Sequence, residues 1–489
     1  MSETTTEAED VPFTERISDN PRPALRWAVG ALILLVIEFG AFVQYLASLL
    51  ASIFGFVPAN IGIQSFFSGI EHWAAGLPTL LSRHVIPNQG YNPPGPGWES
   101  TFLGLEPKYA WLLRVVLVYA YAFIWLGWFW VGYRWFRAHY RYADWTPRDD
   151  MMGRLRGHRW GQFGFVIVFA FVVMAIFAPA LGPYTIQENI YQPYSYETTY
   201  FEGGSTQSIP IGAANLQSSS QGNPQTNVGP WTYDDFGRFH PFGTITTGQD
   251  LFTFIVHGAR VSLMIGVVSI AIAGVVGVVF AMLTSYYKGL ADLAVVIAGD
   301  SVQSLPLLLI LILMSAVFSS TWIAELYDGA ALLIGIFAFI YWPYMWRAVR
   351  GPSLQVAGEE WIDAAKSFGQ RPRTIMRKHM FPYIIGYLLV YASLTIGGII
   401  IATAALSFLG LGINPPTPEW GRIVSAGQPY LASVSWHISV IPGVLITLIV
   451  IGFNALGDGI RDAVDPQSAT GEGDTESGTA AAAAGGGGG

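Results

Sequence analysis

Five stretches of this chain run past the length of a bilayer-crossing helix without a single Asp, Glu, Lys or Arg. They are Gly161–Gln187, Val261–Tyr287, Ser301–Ala324, His379–Pro418 and Ile423–Gly457. A crossing helix needs about 20 mostly apolar residues at ~1.5 Å each. Barrel strands would instead alternate apolar and polar residues in runs of about 10, which excludes a membrane β-barrel. The predicted fold is therefore all-α, a polytopic membrane protein. Composition agrees: only 12% of residues are charged, about half the share in soluble domains. That excludes a disordered chain and stands against an ordinary cytosolic enzyme.

The apolar pattern predicts about eight transmembrane helices: Trp27–Ile53, Tyr109–Tyr133, Gly161–Leu181, Val261–Tyr287, Ser301–Ser320, Gly329–Val349, Pro382–Phe408 and Trp436–Leu456. The connections alternate in charge. Nineteen Lys and Arg fall in one set, dominated by 134–160 and 347–378, and six in the other. Positive-inside bias places the first set, with both termini, in the cytoplasm of a multi-pass cell-membrane protein. The first 24 residues are polar and mostly acidic, unlike a secretory signal peptide, so the first apolar segment is expected to remain as a span. Two long outer segments follow. Segment 54–108 is rich in Gly and Pro. Segment 183–258 carries one base against six acids and has too few apolar residues for a large core of its own, so a solvated loop or a docking surface is expected. Residues 466–489, largely Gly and Ala, are expected to be disordered.

The chain has no cysteine, so disulfides, thiolate nucleophiles and Cys metal sites are excluded. No Gly precedes a Lys, so there is no P-loop. There is no H-E-x-x-H or G-x-S-x-G, and no catalytic residue, bound cofactor or metal site is expected. Glu38 lies inside the first predicted span, where an ionisable group is a functional candidate by default and a paired helix contact is the plainer alternative. Asp300 and Pro306 flank the start of the fifth span. They suit a carboxylate at a helix N-terminus and a proline kink. Pro415, Pro416 and Pro418 suit a rigid external turn or a gate.

The most informative stretch is GEEWIDAAKSFGQRPRTIMRKHMFP, residues 358–382. It predicts a short helix from Gly358 to Phe368, with Glu359, Glu360 and Asp363 toward its N-terminal end and Lys366 toward its C-terminal end. Trp361, Ala364, Ala365 and Phe368 recur at helical spacing as one apolar face. Gly369 fits a left-handed C-cap, and Pro372 can start the next helix. The helix is too short and charged to cross a membrane, so its apolar face needs a partner, either its own membrane domain or another protein, or else lies on lipid.

Asp363, Ala364, Ala365 and Gly369, followed by HMFP at 379–382, resemble the EAA loop of ABC-importer permeases, with Asp in place of Glu. HPFGTITTGQDLFTFIVHGARVSL (240–263) and LSFLGLGINPPTPEWGRIVSAGQPYL (406–431) resemble segments of the second, C-type permease of dipeptide, oligopeptide and nickel importers. The chain departs from those patterns at Ile245, Gln249, Thr253, Phe254, His379 and Phe381, and keeps Pro382. The resemblance implies a six-span permease domain over 158–465, with external loop 183–258 and coupling loop 350–381. Before it lie a cytoplasmic tail, 1–26, and an extra transmembrane pair, 27–157.

The resemblance further implies a coupling helix for an ATPase subunit, built from Glu360, Trp361, Asp363, Ala364, Ala365, Phe368, Gly369 and Pro382. Pro415, Pro416 and Trp420 become candidates for external contact or gating. It implies ATP used on two separate ATP-binding subunits, a homologous second permease, an extracellular substrate-binding protein and the bilayer as partners, and no nucleic acid. The solute would be a peptide, with nickel or another small solute as alternative. An ion-coupled transporter or membrane-embedded enzyme would need midplane charges or convergent acid–base groups, and only Glu38 is in sight.

Overall fold

In the computed structural model, residues 12–53, 63–77, 79–95, 97–141, 146–220 and 227–464 are described. The tail expected to be disordered and the first eleven residues lie outside them. The chain begins with α1 (Phe13–Asp19), α2 (Pro21–Ile37), α3 (Phe39–Ile53), α4 (Ile63–Ala75) and the long α5 (Pro107–His139). Helices α6 (Pro147–Gly157), α7 (Arg159–Ile176) and α8 (Ala178–Leu181) follow. Next come β1 (Glu197–Glu202), β2 (Ser205–Pro210), α9 (Ile211–Gln217), β3 (Thr232–Tyr233) and β4 (Phe239–His240). The remainder is helical: α10 (Leu251–Tyr287), α11 (Gly289–Gln303), α12 (Leu307–Phe318), α13 (Trp322–Glu325), α14 (Ala330–Ala357), α15 (Glu360–Ser367), α16 (Pro372–Ile375), α17 (Phe381–Phe408), α18 (Trp420–Gly427) and α19 (His437–Val464).

Six helical segments among the described residues are long and apolar enough to cross a membrane: Pro107–His139, Arg159–Ile176, Leu251–Tyr287, Trp322–Ala357, Pro372–Phe408 and His437–Val464. The pair α11 and α12, bent by 86°, adds a seventh if it is one broken span. Two of the eight expected spans therefore differ. Trp27–Ile53 is divided at Glu38 into helices of 17 and 15 residues. Glu38 leaves helical geometry at φ −117°, ψ 27°, and its Oε1 accepts a hydrogen bond from the Leu81 N–H at 2.9 Å. The fifth span starts at Leu307 rather than Ser301. Pro306 has no N–H to donate and disfavours helix at the residue before it, so the chain turns between α11 and α12. Pro306 thus precedes its helix instead of kinking it.

The described residues divide into two compact units. One comprises the described residues within 1–146, 177–216 and 230–241; the other comprises those within 147–176, 217–229 and 242–464. Much of the outer segment expected as a solvated loop is built into the first unit. Its β1–β2 hairpin pairs Glu197 with Pro210 and Glu202 with Ser205. Phe239 and Ile211 are buried. The Phe239 ring packs against Trp231 at 5.1 Å and Trp111 at 5.8 Å between centroids. Apolar content within the segment is indeed small; α5 supplies Trp111 from far away in sequence. Arg114, also on α5, is fully buried. Its guanidinium donates to the carbonyls of Ala180 at 2.7 Å, Ile86 at 3.0 Å and Gly182 at 3.0 Å, and to Asn88 Oδ1 at 2.9 Å.

The second unit packs α10, α14 and α17 around Ile265, Phe337, Trp346 and Ile399. Helices α7 and α19 approach on small residues. A Cβ added at Gly164 would lie 2.3 Å from the Leu456 nitrogen, so only glycine permits that contact, as is common between membrane helices.

Candidate functional site

The segment between α14 and α17 holds the residues that the sequence singles out as a candidate coupling site. Glu359 sits in extended geometry as N-cap of α15, with Glu360 and Asp363 in the first turn and Lys366 in the last. That order complements the helix dipole. Lys366 Nζ also pairs with Asp363 Oδ1 at 2.9 Å. Gly369 adopts φ +74° and ends the helix. Its N–H reaches the Lys366 carbonyl at 2.9 Å, and the Gln370 N–H reaches Ala365 at 3.1 Å. A residue in the left-handed region closing the last carbonyls is the geometry glycine favours. A Cβ placed there would meet nothing within 4 Å, so the demand for glycine is one of backbone geometry. Pro372 opens α16, and Pro382 lies in the first turn of α17.

The buried face of α15 differs from the expected one. Ile362 and Ala365 are buried with Ala357, Ile375 and Met380, and Trp361 packs beside them. Ala364 is exposed and Phe368 is 87% exposed. Residues 361, 364, 365 and 368 do share a broad stripe. The neighbouring segment, however, covers only the half holding 361, 362 and 365. Ile362 was missed in the sequence because the i, i+3, i+4, i+7 template starting at Trp361 skips it; the pair Ile362 and Ala365, three apart, was the signal available. The Trp361 ring lies 5.3 Å from Tyr383 and 6.0 Å from His379 between centroids, which ties α15 to the start of α17. The helix therefore has one side fixed to its own chain and another side, with Phe368 and Ala364, turned out.

The other predicted residues sit elsewhere. Asp300 lies exposed in the last turn of α11, not at the helix N-terminus expected from the sequence, and pairs with Arg347 of α14. Glu38 serves the end of α2. Pro415 and Pro416 are exposed and joined by a cis peptide bond. Trp420 is 1% exposed, and its Nε1 donates to the Ile255 carbonyl of α10 at 2.8 Å. It holds α18 in place, so direct external contact is not open to it. Glu419 beside it accepts the Arg422 N–H at 3.0 Å as N-cap of α18; burial pushes its carboxyl above the ordinary value, against the lowering effect of backbone N–H donors and Arg422.

The sequence matches the family model described as binding-protein-dependent transport system inner membrane component over residues 273–469, which includes α15. A second model, the N-terminal TM domain of oligopeptide transport permease C, matches residues 146–198. A dipeptide transport system permease protein of Alkalihalophilus pseudofirmus is 30% identical over 328 residues, covering 67% of this chain and 92% of that relative. The chain belongs to the dipeptide/oligopeptide family of ABC-importer permeases. A glutathione transport system permease protein of Escherichia coli is also 30% identical, over 66% of this permease and 91% of the relative. A dipeptide transport system permease protein of Bacillus subtilis is 30% identical over 65% and 85% respectively. This permease is a multi-pass membrane protein and a transport component. Helices α1–α5 precede the residues matched by either family model.

Proposed function

We propose that this permease is one half of the membrane pathway of an ATP-driven peptide importer. A homologous second permease forms the other half. Two cytoplasmic ATPase subunits hydrolyse ATP, and an extracellular binding protein delivers the peptide. The observation that carries this reading is α15. It is a short, capped helix fixed on one side by Ile362 and Ala365 and presenting Phe368, 87% exposed, on another. An exposed aromatic beside a small residue suits a groove on a partner protein, where a few buried anchors supply most of the binding. Movement passes between ATPase and pathway if the two conformations of the pathway make different contacts with the ATPase.

The relatives named for dipeptide and glutathione transport support a short peptide as solute. Uptake of a labelled dipeptide into cells carrying the complete importer tests the reading. Uptake should stop when the ATPase subunits or the binding protein are deleted. Uptake that persists without them, driven by an ion gradient, overturns it. The orientation, with both termini and α15 cytoplasmic, is tested by single cysteines in this cysteine-free chain. Ser100→Cys and Ser205→Cys, both at exposed positions, should react with an impermeant thiol reagent from outside. Ser367→Cys should react only after the membrane is opened.

A further inference from the structure

The chain from α16 into α17 carries four cations, Arg371, Arg373, Arg377 and Lys378. Their side chains make no hydrogen bond or ion pair among the described residues. The other basic residues of the same stretch are matched: Arg347 with Asp300, Arg350 with Asp292 at 2.5 Å, and Lys366 with Asp363 at 2.9 Å. Arg373 and Arg377 line one wall of an open groove of about 470 Å³, whose other walls include Val279, Met282 and Leu283 of α10 and Phe381 of α17. The same two arginines, with Thr374 and Lys378, line an adjoining hollow of about 500 Å³.

This layout has a direction. The apolar wall belongs to two helices that cross the membrane, near the end of α10 and the beginning of α17. The cations stand just beyond that apolar wall, at the start of the helical segment Pro372–Phe408. We propose that the groove holds one anionic phospholipid. Its phosphate lies on Arg373, Arg377 and Lys378, and an acyl chain lies along Val279, Met282, Leu283 and Phe381. Three exposed cations without acids of their own complement a negative head group. The apolar wall complements a chain that a free anion lacks. Basic pockets between membrane helices are suited to such head groups. The site is separate from the outward side of α15, since neither Phe368 nor Ala364 lines the groove.

The test is native mass spectrometry of the detergent-solubilised full chain, titrated with phosphatidylglycerol or phosphatidylcholine. The wild type should bind phosphatidylglycerol in preference. The preference should fall roughly fivefold for each of Arg373→Gln and Arg377→Gln, from about one unit of surface attraction per basic residue. Arg371→Gln, a cation outside the groove, should leave it unchanged. Equal binding of both lipids by the wild type overturns the proposal. So does a preference that survives the double Arg373→Gln/Arg377→Gln variant, or one abolished by equimolar inorganic phosphate, which would make the site one for a free anion. If the double variant instead loses co-purifying subunits while keeping its lipid preference, a protein covers the groove and the proposal fails.

Discussion

The Arg238 guanidinium donates to the Asp234 carboxylate across 2.6 Å, and both side chains are almost completely removed from solvent. Asp234 also accepts the Phe236 and Arg238 backbone N–H groups at 3.0 and 2.8 Å, and Arg238 donates to Asn215 at 2.8 Å. A buried ion pair thus closes the turn between β3 and β4. Burial pushes the Asp234 carboxyl up, but His240 and Arg238 pull it further down, and it settles below its ordinary value. A carboxyl depressed in the folded state binds fewer protons there than in the unfolded chain. Its stabilisation is complete above the unfolded value of about 3.9 and is lost as pH falls through the folded one.

Asp234→Asn should flatten that acid-side loss while lowering thermal stability at neutral pH by about 3–5 kcal/mol, because Arg238 is left buried without its counter-charge. Melting of the purified chain from neutral pH down to below the unfolded value of about 3.9 checks both effects. Unchanged melting of the variant at neutral pH would contradict the assignment.

Arg114 satisfies four acceptors at once from a fully buried position. Arg114→Met keeps only the apolar stem of the side chain and strands the acceptors on Ala180, Ile86 and Asn88, while Gly182 keeps Arg83, at about 1–3 kcal/mol for each one left unpaired. We expect a large drop in melting temperature and in membrane abundance. Arg114→Lys should recover only part, since one ammonium cannot reproduce the planar fork. A Met variant that melts with the wild type would show those contacts to be dispensable.

Gly369 separates a backbone effect from a packing effect, because a Cβ there has open space but the backbone stands at φ +74°. Gly369→Val should cost about 1–2 kcal/mol locally and impair uptake at normal membrane abundance. Gly369→Asn, which tolerates the left-handed region, should restore most of it. Equal impairment by both would point to the side chain rather than the turn.

Much of this fold was legible because the bilayer imposes one demand on every span, and runs such as Val261–Tyr287 show it without ambiguity. The α15 helix was legible for a second reason: acids, apolar spacing and Gly369 all agree over a dozen residues. What stayed hidden depends on partners distant in sequence. The break at Glu38 needs Leu81, the core around Phe239 needs Trp111, and the burial of Arg114 needs carbonyls from two other segments. Trp420 resembled an external residue because its neighbours Pro415 and Pro416 are external; the Ile255 carbonyl that holds it is 165 positions away. On α15, periodicity gave the stripe but could not say which half the rest of the chain would cover.

The central claim is that the exposed side of α15, not its buried side, engages the ATPase subunits. Phe368→Asp changes a side chain that is 87% exposed, so the permease should fold, insert and melt as the wild type does. Co-purification of the ATPase subunits from membranes holding equal amounts of each permease measures the claim directly. Our account predicts a loss of at least about tenfold, the scale of a buried anchor turned into an unpaired charge. Wild-type retention of the ATPase by Phe368→Asp would contradict it and leave α15 as a helix lying on lipid.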